Sequence, residues 1–309
     1  MMEQKYDSGA DFWRDAAASH GLAEASTICG NYLNTQLKQE LPPEERQFCR
    51  ELFAAMYEAT AGRADPAKLV YPYPVQEANE RGERSVYFAN RNRNDECARA
   101  IDASLNSSCY KLYHYNFDIA AMTVIHRYGF QRVNEVLAHC FQTHEYDGRY
   151  STSNKQWARG FDLPEKAFSQ AWLNAHPVLI EDFANYTRKL YGELGAERFA
   201  LPGQPESGES VERYEITRAI TFDDNRGFAI AVHPTAGYVC WQFKMDSGKR
   251  DFFWGYYCND ERDAANSYIA RIAVYMSDGT REAPPRANAP APAAAAPQPH
   301  RKPRDRGER

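Results

Sequence analysis

Apolar residues recur at helical spacing through the first two thirds of the chain. Within residues 42–57 they fall three or four positions apart, and Pro43 is followed by two glutamates. Proline and acidic residues are favoured in the first turn of a helix. Similar stripes begin at Phe12 and recur within residues 177–194. The pattern therefore predicts a largely helical N-terminal and middle part.

Two of the stripes are separated by one glycine. Residues 120–128 carry the first stripe and residues 133–141 carry the second, with Gly129 between them. Glycine commonly ends helices because it adopts left-handed backbone angles without steric cost. We therefore expect two adjacent helices with a short break at Gly129, in the manner of a helical hairpin.

The period changes to alternation in the last third of the chain. Short alternating or apolar runs are separated by turns rich in Asp, Asn and Gly, which is typical of an antiparallel meander. The candidate strands are 214–222, 228–232, 238–243 and 249–254. Residues 260–276 return to helical spacing. This part is predicted to be a ββββα module, with its helix covering one face of the sheet.

The whole pattern predicts an α+β protein with helical N-terminal and middle parts, a small antiparallel ββββα module and a disordered tail. The tail is almost entirely Pro and Ala and ends in a basic tip, so it offers little apolar surface to bury. The predicted units are a helical N-terminal segment at 1–65, a helical domain at 75–197, a sheet-plus-helix module at 211–279 and the tail at 283–309.

Charge narrows the choice of partners. The 309 residues include 37 basic and 42 acidic side chains, a net charge of −5. Residues 283–309 hold six basic and two acidic side chains, so the remaining chain carries −9. An acidic body disfavours binding to phosphate backbones, and only the basic tail could bind nucleic acid.

Compartment and redox state follow from apolar runs and cysteines. The first residues include no apolar signal segment, and apolar runs such as Phe228–Val232 are far too short to cross a membrane. Seven scattered cysteines form no CxxC pair, which excludes a zinc ribbon or a redox motif of that type. We expect a cytoplasmic protein with reduced thiols and no membrane partner.

The middle of the chain resembles a bacterial family without assigned activity, domain of unknown function 3849, over about residues 75–197. The segments that carry the resemblance are Glu96–Ile101, Tyr128–Ala138, Tyr146–Ser151, Asn154, Trp157–Ala158 and His176–Pro177. Residues 213–277 also resemble a module found at the C-terminal ends of similar proteins. The resemblance implies an accessory protein of a mobile genetic element, and it implies no reaction.

One turn within this region is a candidate binding site. Residues 146–151 contain a glycine and display a carboxylate, a guanidinium and a hydroxyl, with an amide and an indole shortly afterwards. An arginine there could grip a carboxylate or a phosphate with two hydrogen bonds. Alternatively, the carboxylate and the hydroxyl cap the next helix and the indole packs. The candidate residues are Asp147, Arg149, Ser151, Asn154 and Trp157.

Metal binding and catalysis have weaker support. Two histidines, a cysteine and an aspartate lie close together at His139, Cys140, His144 and Asp147. The two histidines are five residues apart, which places them on different faces of one helix, so we predict no metal site. No nucleophile motif, phosphate loop or dinucleotide fingerprint is present, and we predict no catalytic residue and no cofactor.

Aromatic residues make up 13% of the chain, and many lie in the predicted sheet. The candidate contact residues are Trp241, Phe243 and Trp254. Because aromatics occupy both faces and one helix covers only one, the second face either packs on the helical part or is exposed. An exposed aromatic face could dock a protein or stack bases. We favour a protein partner; nucleic-acid binding through this sheet and the tail, or an enzyme centred on Asp147 and Arg149, are the alternatives.

Overall fold

The computed structural model describes residues 6–112, 114–143 and 177–277. Its helices are α1 (Gly9–His20), α2 (Leu22–Thr35), α3 (Pro43–Thr60), α4 (Val75–Glu80), α5 (Arg84–Ser107), α6 (Phe117–Thr143), α7 (Pro177–Glu193) and α8 (Glu261–Ser277). Its strands are β1 (Cys109–Lys111), β2 (His114–Tyr115), β3 (Gln204–Pro205), β4 (Ser210–Val211), β5 (Tyr214–Thr221), β6 (Arg226–His233), β7 (Gly237–Asp246) and β8 (Lys249–Cys258). The predicted α+β class is confirmed, and the predicted disordered tail lies outside the described residues.

The apolar stripes of six helices meet in one core. Buried side chains of α1, α2, α3, α5, α6 and α7 form a single cluster that includes Phe53, Ile101, Val124 and Phe183. The start of this bundle is fixed locally, because the Ser8 hydroxyl accepts a hydrogen bond from the Asp11 backbone N–H at 3.1 Å. Such an N-cap satisfies a donor that would otherwise lack a partner within the helix.

The predicted break within the middle helices is confirmed. Gly129 has φ 78° and ψ 158°, so it interrupts α6 and divides it into two helical halves. Residues with a Cβ atom rarely adopt a positive φ of this size, whereas glycine adopts it without steric cost. Gly21 adopts nearly the same angles, φ 77° and ψ 165°, between α1 and α2.

The sheet is antiparallel and has the order β3-β5-β6-β7-β8, with β4 also paired to β5. Strands β5 to β8 form the predicted meander. The Pro- and Gly-containing segment at 201–210, which lies between the predicted units 75–197 and 211–279, contributes β3 and the start of β4 to the sheet edge. Two short strands thus extend the sheet beyond the four that alternation predicts.

Helix α8 lies between the sheet and the helical part. One side of α8 packs on the sheet through a cluster that includes Phe228, Ile230, Tyr268 and Ile272. Its other side contributes Ala270 to a cluster with residues that precede or lie in α5: Tyr71, Tyr73, Ala78, Val86 and Tyr87. No disulfide joins the cysteines whose side chains the structure describes.

Candidate functional site

The terminal strand β8 carries a group of exposed aromatic side chains. Trp254, Tyr256 and Tyr257 are 52%, 41% and 58% exposed, and we call these three residues the aromatic edge. Among the described residues, the other large apolar side chains with comparable exposure are Val75 and Leu112. Aromatic residues are enriched where proteins bind one another, so their concentration on one strand makes this edge a candidate contact surface.

A bulge in β8 creates this edge. The pairing with β7 shifts between Cys240 and Gln242, which pair with Tyr256 and Phe253. The β8 strand therefore contains one more residue than β7 over this interval. Trp254 lies in the bulge with φ 50°, a left-handed angle that is unusual for a residue with a bulky side chain. The Arg271 side chain of α8 donates a hydrogen bond to the Trp254 carbonyl oxygen at 2.7 Å, which holds the bulge.

The bulge also overturns simple alternation along β8. Alternation groups Phe252 with Trp254 and Tyr256, but the extra residue reverses the two faces beyond the bulge. Phe252 and Tyr257 both pack on Trp241, at ring-centroid distances of 5.2 and 6.4 Å. Strict alternation would place those two residues on opposite faces.

Trp241 and Phe243, by contrast, are buried. Their exposed fractions are 5% and 0%, and they form a second apolar cluster with small residues of β5 and β6. Of the three candidate aromatics in the sheet, only Trp254 faces solvent. Their role in binding stays a prediction, and exposure supports it for Trp254 alone.

The face of the sheet that carries Trp241 and Phe243 is covered because the sheet curls over it. The sequence predicted instead that this face either packs on the helical part or is exposed. Small residues of β6 stand opposite the large rings of β7: Gly227 pairs with Phe243, and Ala229 pairs with Trp241. A Cβ atom on Gly227 would lie only 2.4 Å from Phe243 Cζ. The absence of bulk on β6 therefore lets the sheet curl around the rings of β7.

Contacts between the two ends of the sheet hold this curl. The Arg250 guanidinium of β8 donates to the Glu206 carboxylate, at 2.6 Å from Nη2, and also to Glu209. Both glutamates belong to the segment that contains β3 and precedes β4. At the other end, the rings of Tyr214 and Tyr257 lie 6.0 Å apart. These contacts join the first and last strands across the concave face.

A groove separates the aromatic edge from α4. Tyr256 forms one wall, and the other wall is formed by Pro74, Gln76, Glu77, Glu80 and Arg81. The Arg81 guanidinium is engaged twice, by Glu77 at 2.9 Å from Nε and by the Tyr73 ring at 3.7 Å. Glu80 accepts a hydrogen bond from Gln76 alone among the described residues. The groove therefore presents carboxylate to solvent.

A buried polar network lies within the helical domain. Arg132, 1% exposed, donates to the side-chain oxygens of Asn90 at 2.9 Å and Asn94 at 2.5 Å. It also donates to the backbone carbonyls of Ala67, at 3.1 Å, and Leu69. One side chain thus ties α6 to α5 and to the segment before α4. The burial of so many satisfied acceptors indicates a structural role.

Glu135, one turn further along α6, belongs to the same network. Its Oε2 accepts a hydrogen bond from Asn94 Nδ2 at 2.9 Å, whereas Oε1 has no partner among the described residues. Burial raises the pKa of Glu135 to about 7, against the opposing effect of the Arg132 charge. The sequence analysis did not predict that Arg132 and Glu135 are buried together. Their i, i+3 spacing within an apolar stripe places them on one helix face and could have indicated it.

The other candidate residues are outside the described part of the chain. Asp147, Arg149, Ser151, Asn154 and Trp157 lie there, as does His144, and the side chains of His139 and Cys140 are likewise not described. Binding at the 146–151 turn therefore stays a prediction. Within residues 6–112, 114–143 and 177–277, no three His, Cys, Asp or Glu side chains come together as a metal site.

The network of Arg132 and Glu135 falls within a region that matches a known family. Residues 70–192 match the family described as Protein of unknown function (DUF3849). The resemblance predicted from sequence is confirmed. The DUF3849 segment includes α4, α5, the β1–β2 pair, α6 and most of α7, and it ends before β3, the first strand of the larger sheet.

Other comparisons give no match. No curated protein matches the chain, and no solved structure matches it. Across the described residues, no helix combines the length and the apolar character needed to pass through a bilayer. The middle of the chain is thus similar to a family whose description assigns no function.

Proposed function

We propose that the protein binds another protein through the aromatic edge, without catalysis, as a cytoplasmic accessory protein of a bacterial mobile element. The observation that carries the proposal is the exposure of Trp254, Tyr256 and Tyr257 on one terminal strand. The DUF3849 match supports an uncharacterised protein. The accessory role on a mobile element is what the resemblance implies, and it is part of the proposal.

Backbone strain at Trp254 supports a binding role. A left-handed angle at a non-glycine residue costs on the order of 1–3 kcal/mol, and glycine would adopt it more easily. The ring makes an edge-on contact with Phe253 at 5.2 Å, yet it stays 52% exposed. A strained, half-exposed tryptophan contributes little to folding, which favours a role in contact with a partner.

Charge near the aromatic edge favours protein over nucleic acid. The basic residue that could best accompany base stacking, Arg250, is already bound by two carboxylates. The groove beside Tyr256 adds Glu77 and Glu80. A phosphate backbone would approach these carboxylates unfavourably, whereas a protein segment with lysine or arginine would be attracted.

The test is affinity capture from the native bacterial lysate with wild type and Trp254→Gly. Glycine suits the φ of 50°, so the variant should keep or raise the thermal midpoint while it loses the ring. We expect wild type to retain a stoichiometric protein after nuclease treatment. Trp254→Gly should weaken its binding roughly 30-fold, as for a central contact residue.

Leu112→Ser is the matched control. Leu112 is 78% exposed and lies between β1 and β2, apart from β8. It should bind as wild type does. Retention of the partner by Trp254→Gly, or capture of no protein, would contradict the proposal. Recovery of nucleic acid that disappears when residues 283–309 are deleted would instead establish the nucleic-acid alternative.

A further inference from the structure

A second concave site lies far along the chain from the aromatic edge, where both halves of α6 meet the segment that follows α3. Its walls are rich in aromatic rings: Tyr57, Phe130, Tyr191 and Phe199. The Tyr57 ring meets the Phe130 ring at 5.3 Å and the Phe199 ring at 5.7 Å, both edge to face. The rings form a continuous apolar wall. We call this site the Lys68 cleft.

Two cationic side chains line the Lys68 cleft, Arg63 and Lys68. Among the described lining residues there is no aspartate or glutamate. Arg63 Nε donates to the Ala59 carbonyl at 3.1 Å, and its terminal guanidinium nitrogens have no acceptor in the described part of the chain. Two cations thus face one nearby carboxylate, that of Asp65, so the cleft keeps a net positive charge.

Lys68 is the better placed of the two cations. Its amine is 3.8 Å from an Asp65 carboxylate oxygen, an ion pair too long for a good hydrogen bond. Burial lowers the pKa of Lys68, because the cation has lost part of its hydration. A negatively charged group beside it would replace that lost solvation.

The break in α6 lines the cleft beside Lys68. A Cβ atom on Gly129 would lie 3.2 Å from Lys68 Cβ, so the backbone of the break packs closely against the lysine stem. The Lys68 side chain is nevertheless 27% exposed, which leaves it accessible to a ligand. Aromatic walls, a few polar groups and a cation at one end are the usual features of a small-molecule site.

We propose that the Lys68 cleft binds a small organic anion with an aromatic ring, the ring against the Tyr57 wall and the anionic group at Lys68. This site is independent of the aromatic edge and would exist whether or not the proposed protein partner does. The ligand class is defined by its two parts, a planar apolar body and one carboxylate, sulfonate or phosphate group.

The probes for this site are benzoate, its neutral isostere benzamide, and acetate, which lacks the ring. Binding to the full-length protein is measured by saturation-transfer NMR and titration. We expect benzoate to bind with roughly millimolar affinity, as its size allows. Benzamide and acetate should each bind about tenfold more weakly, since each lacks one of the two contacts.

Lys68→Met should reduce benzoate affinity about tenfold by removing the charge while keeping the length of the side chain. The matched control is Lys189→Met, since Lys189 likewise has a carboxylate nearby, that of Glu193 at 3.6 Å, but lies outside the cleft. It should bind benzoate as wild type does. Arg63→Met should weaken benzoate binding less than Lys68→Met does. Because Arg63 is exposed, this variant should fold, and it therefore still tests the site if Lys68→Met misfolds.

Three results would overturn the proposal. These are equal binding of benzoate and benzamide, unchanged affinity in both Lys68→Met and Arg63→Met, or no detectable binding of benzoate to wild type. None of them bears on capture of a partner by Trp254, so failure here is distinguishable from failure of the proposed function.

Discussion

Single buried polar residues carry much of the specificity of this fold. Arg132 is the clearest case, because its guanidinium has at least four acceptors from two other segments and is nearly inaccessible to solvent. A buried cation held in this way fixes the relative positions of those segments, and it cannot be removed without leaving buried acceptors unsatisfied.

Arg132→Met should therefore lower the free energy of unfolding by about 3–5 kcal/mol, because the carbonyls and amide oxygens that it binds lose their donor. Urea denaturation followed by circular dichroism measures the change. Arg127→Met on the same helix is the control, since Arg127 is exposed and stacks on Tyr128 at 5.2 Å. It should change stability by only about 0.5 kcal/mol. Equal effects of the two substitutions would refute the assigned role of Arg132.

His126 gives a prediction about pH. Burial and the charge of Lys68 lower the pKa of His126 from 6.5 to about 4. Between these two pH values the unfolded chain binds a proton that the folded protein does not, so this imidazole makes the free energy of unfolding fall as pH falls. The contribution is fully present above pH 6.5 and is lost progressively toward pH 4.

The measurement is the urea midpoint of wild type and His126→Gln at several pH values from 4 to 7.5. Glu135 has the opposite sign, since its raised pKa makes stability fall as pH rises from 4.5 to about 7. The comparison with His126→Gln isolates the histidine, because both proteins retain Glu135. Wild type should lose more stability on acidification than the variant. Parallel pH curves would show that His126 does not titrate as described.

At the scale of elements, the curl of the sheet depends on how little volume β6 presents to β7. Gly227 is the tightest point, with Ile220 O only 2.1 Å and Phe243 Cζ 2.4 Å from the place of a Cβ atom. Gly192 on α7 is the contrasting case, since a Cβ atom there would meet no atom within 4 Å. The same substitution should therefore have opposite effects at the two sites.

Gly227→Ala should lower the free energy of unfolding by about 1–3 kcal/mol through overpacking. Gly192→Ala should raise it by about 0.5–1 kcal/mol, because alanine loses less backbone entropy in a helix. Thermal or urea unfolding of both variants gives the sign directly. A neutral or stabilising Gly227→Ala would mean that small residues do not set the curvature of the sheet.

At the scale of the molecule, helical periodicity predicts most of the fold because an apolar stripe is a local property of sequence. The break at Gly129 and the meander of β5 to β8 were predictable for the same reason. The bulge at Trp254 was not, because it depends on how two strands pair. Nor was the curl, since it arises from the relative volumes of facing strands.

The candidate sites divide in the same way. Trp254 could be predicted as a contact residue from composition and strand pattern, but Trp241 and Phe243 share that pattern and are buried. Exposure depends on tertiary curvature, which alternation does not encode. Lys68 gave no sequence signal, because a lone lysine becomes a site only where a break in a distant helix and several rings surround it.

The hydrogen bonds of Arg132 to the carbonyls of Ala67 and Leu69 have a consequence for the residue between them. Lys68 is attached to backbone that is fixed on both sides by one buried guanidinium. A ligand at the amine would therefore restrict only the rotations of the lysine side chain, because the loop has already lost its conformational entropy during folding. Affinity in the cleft would then change with the integrity of the protein interior, even though Arg132 itself is closed to solvent.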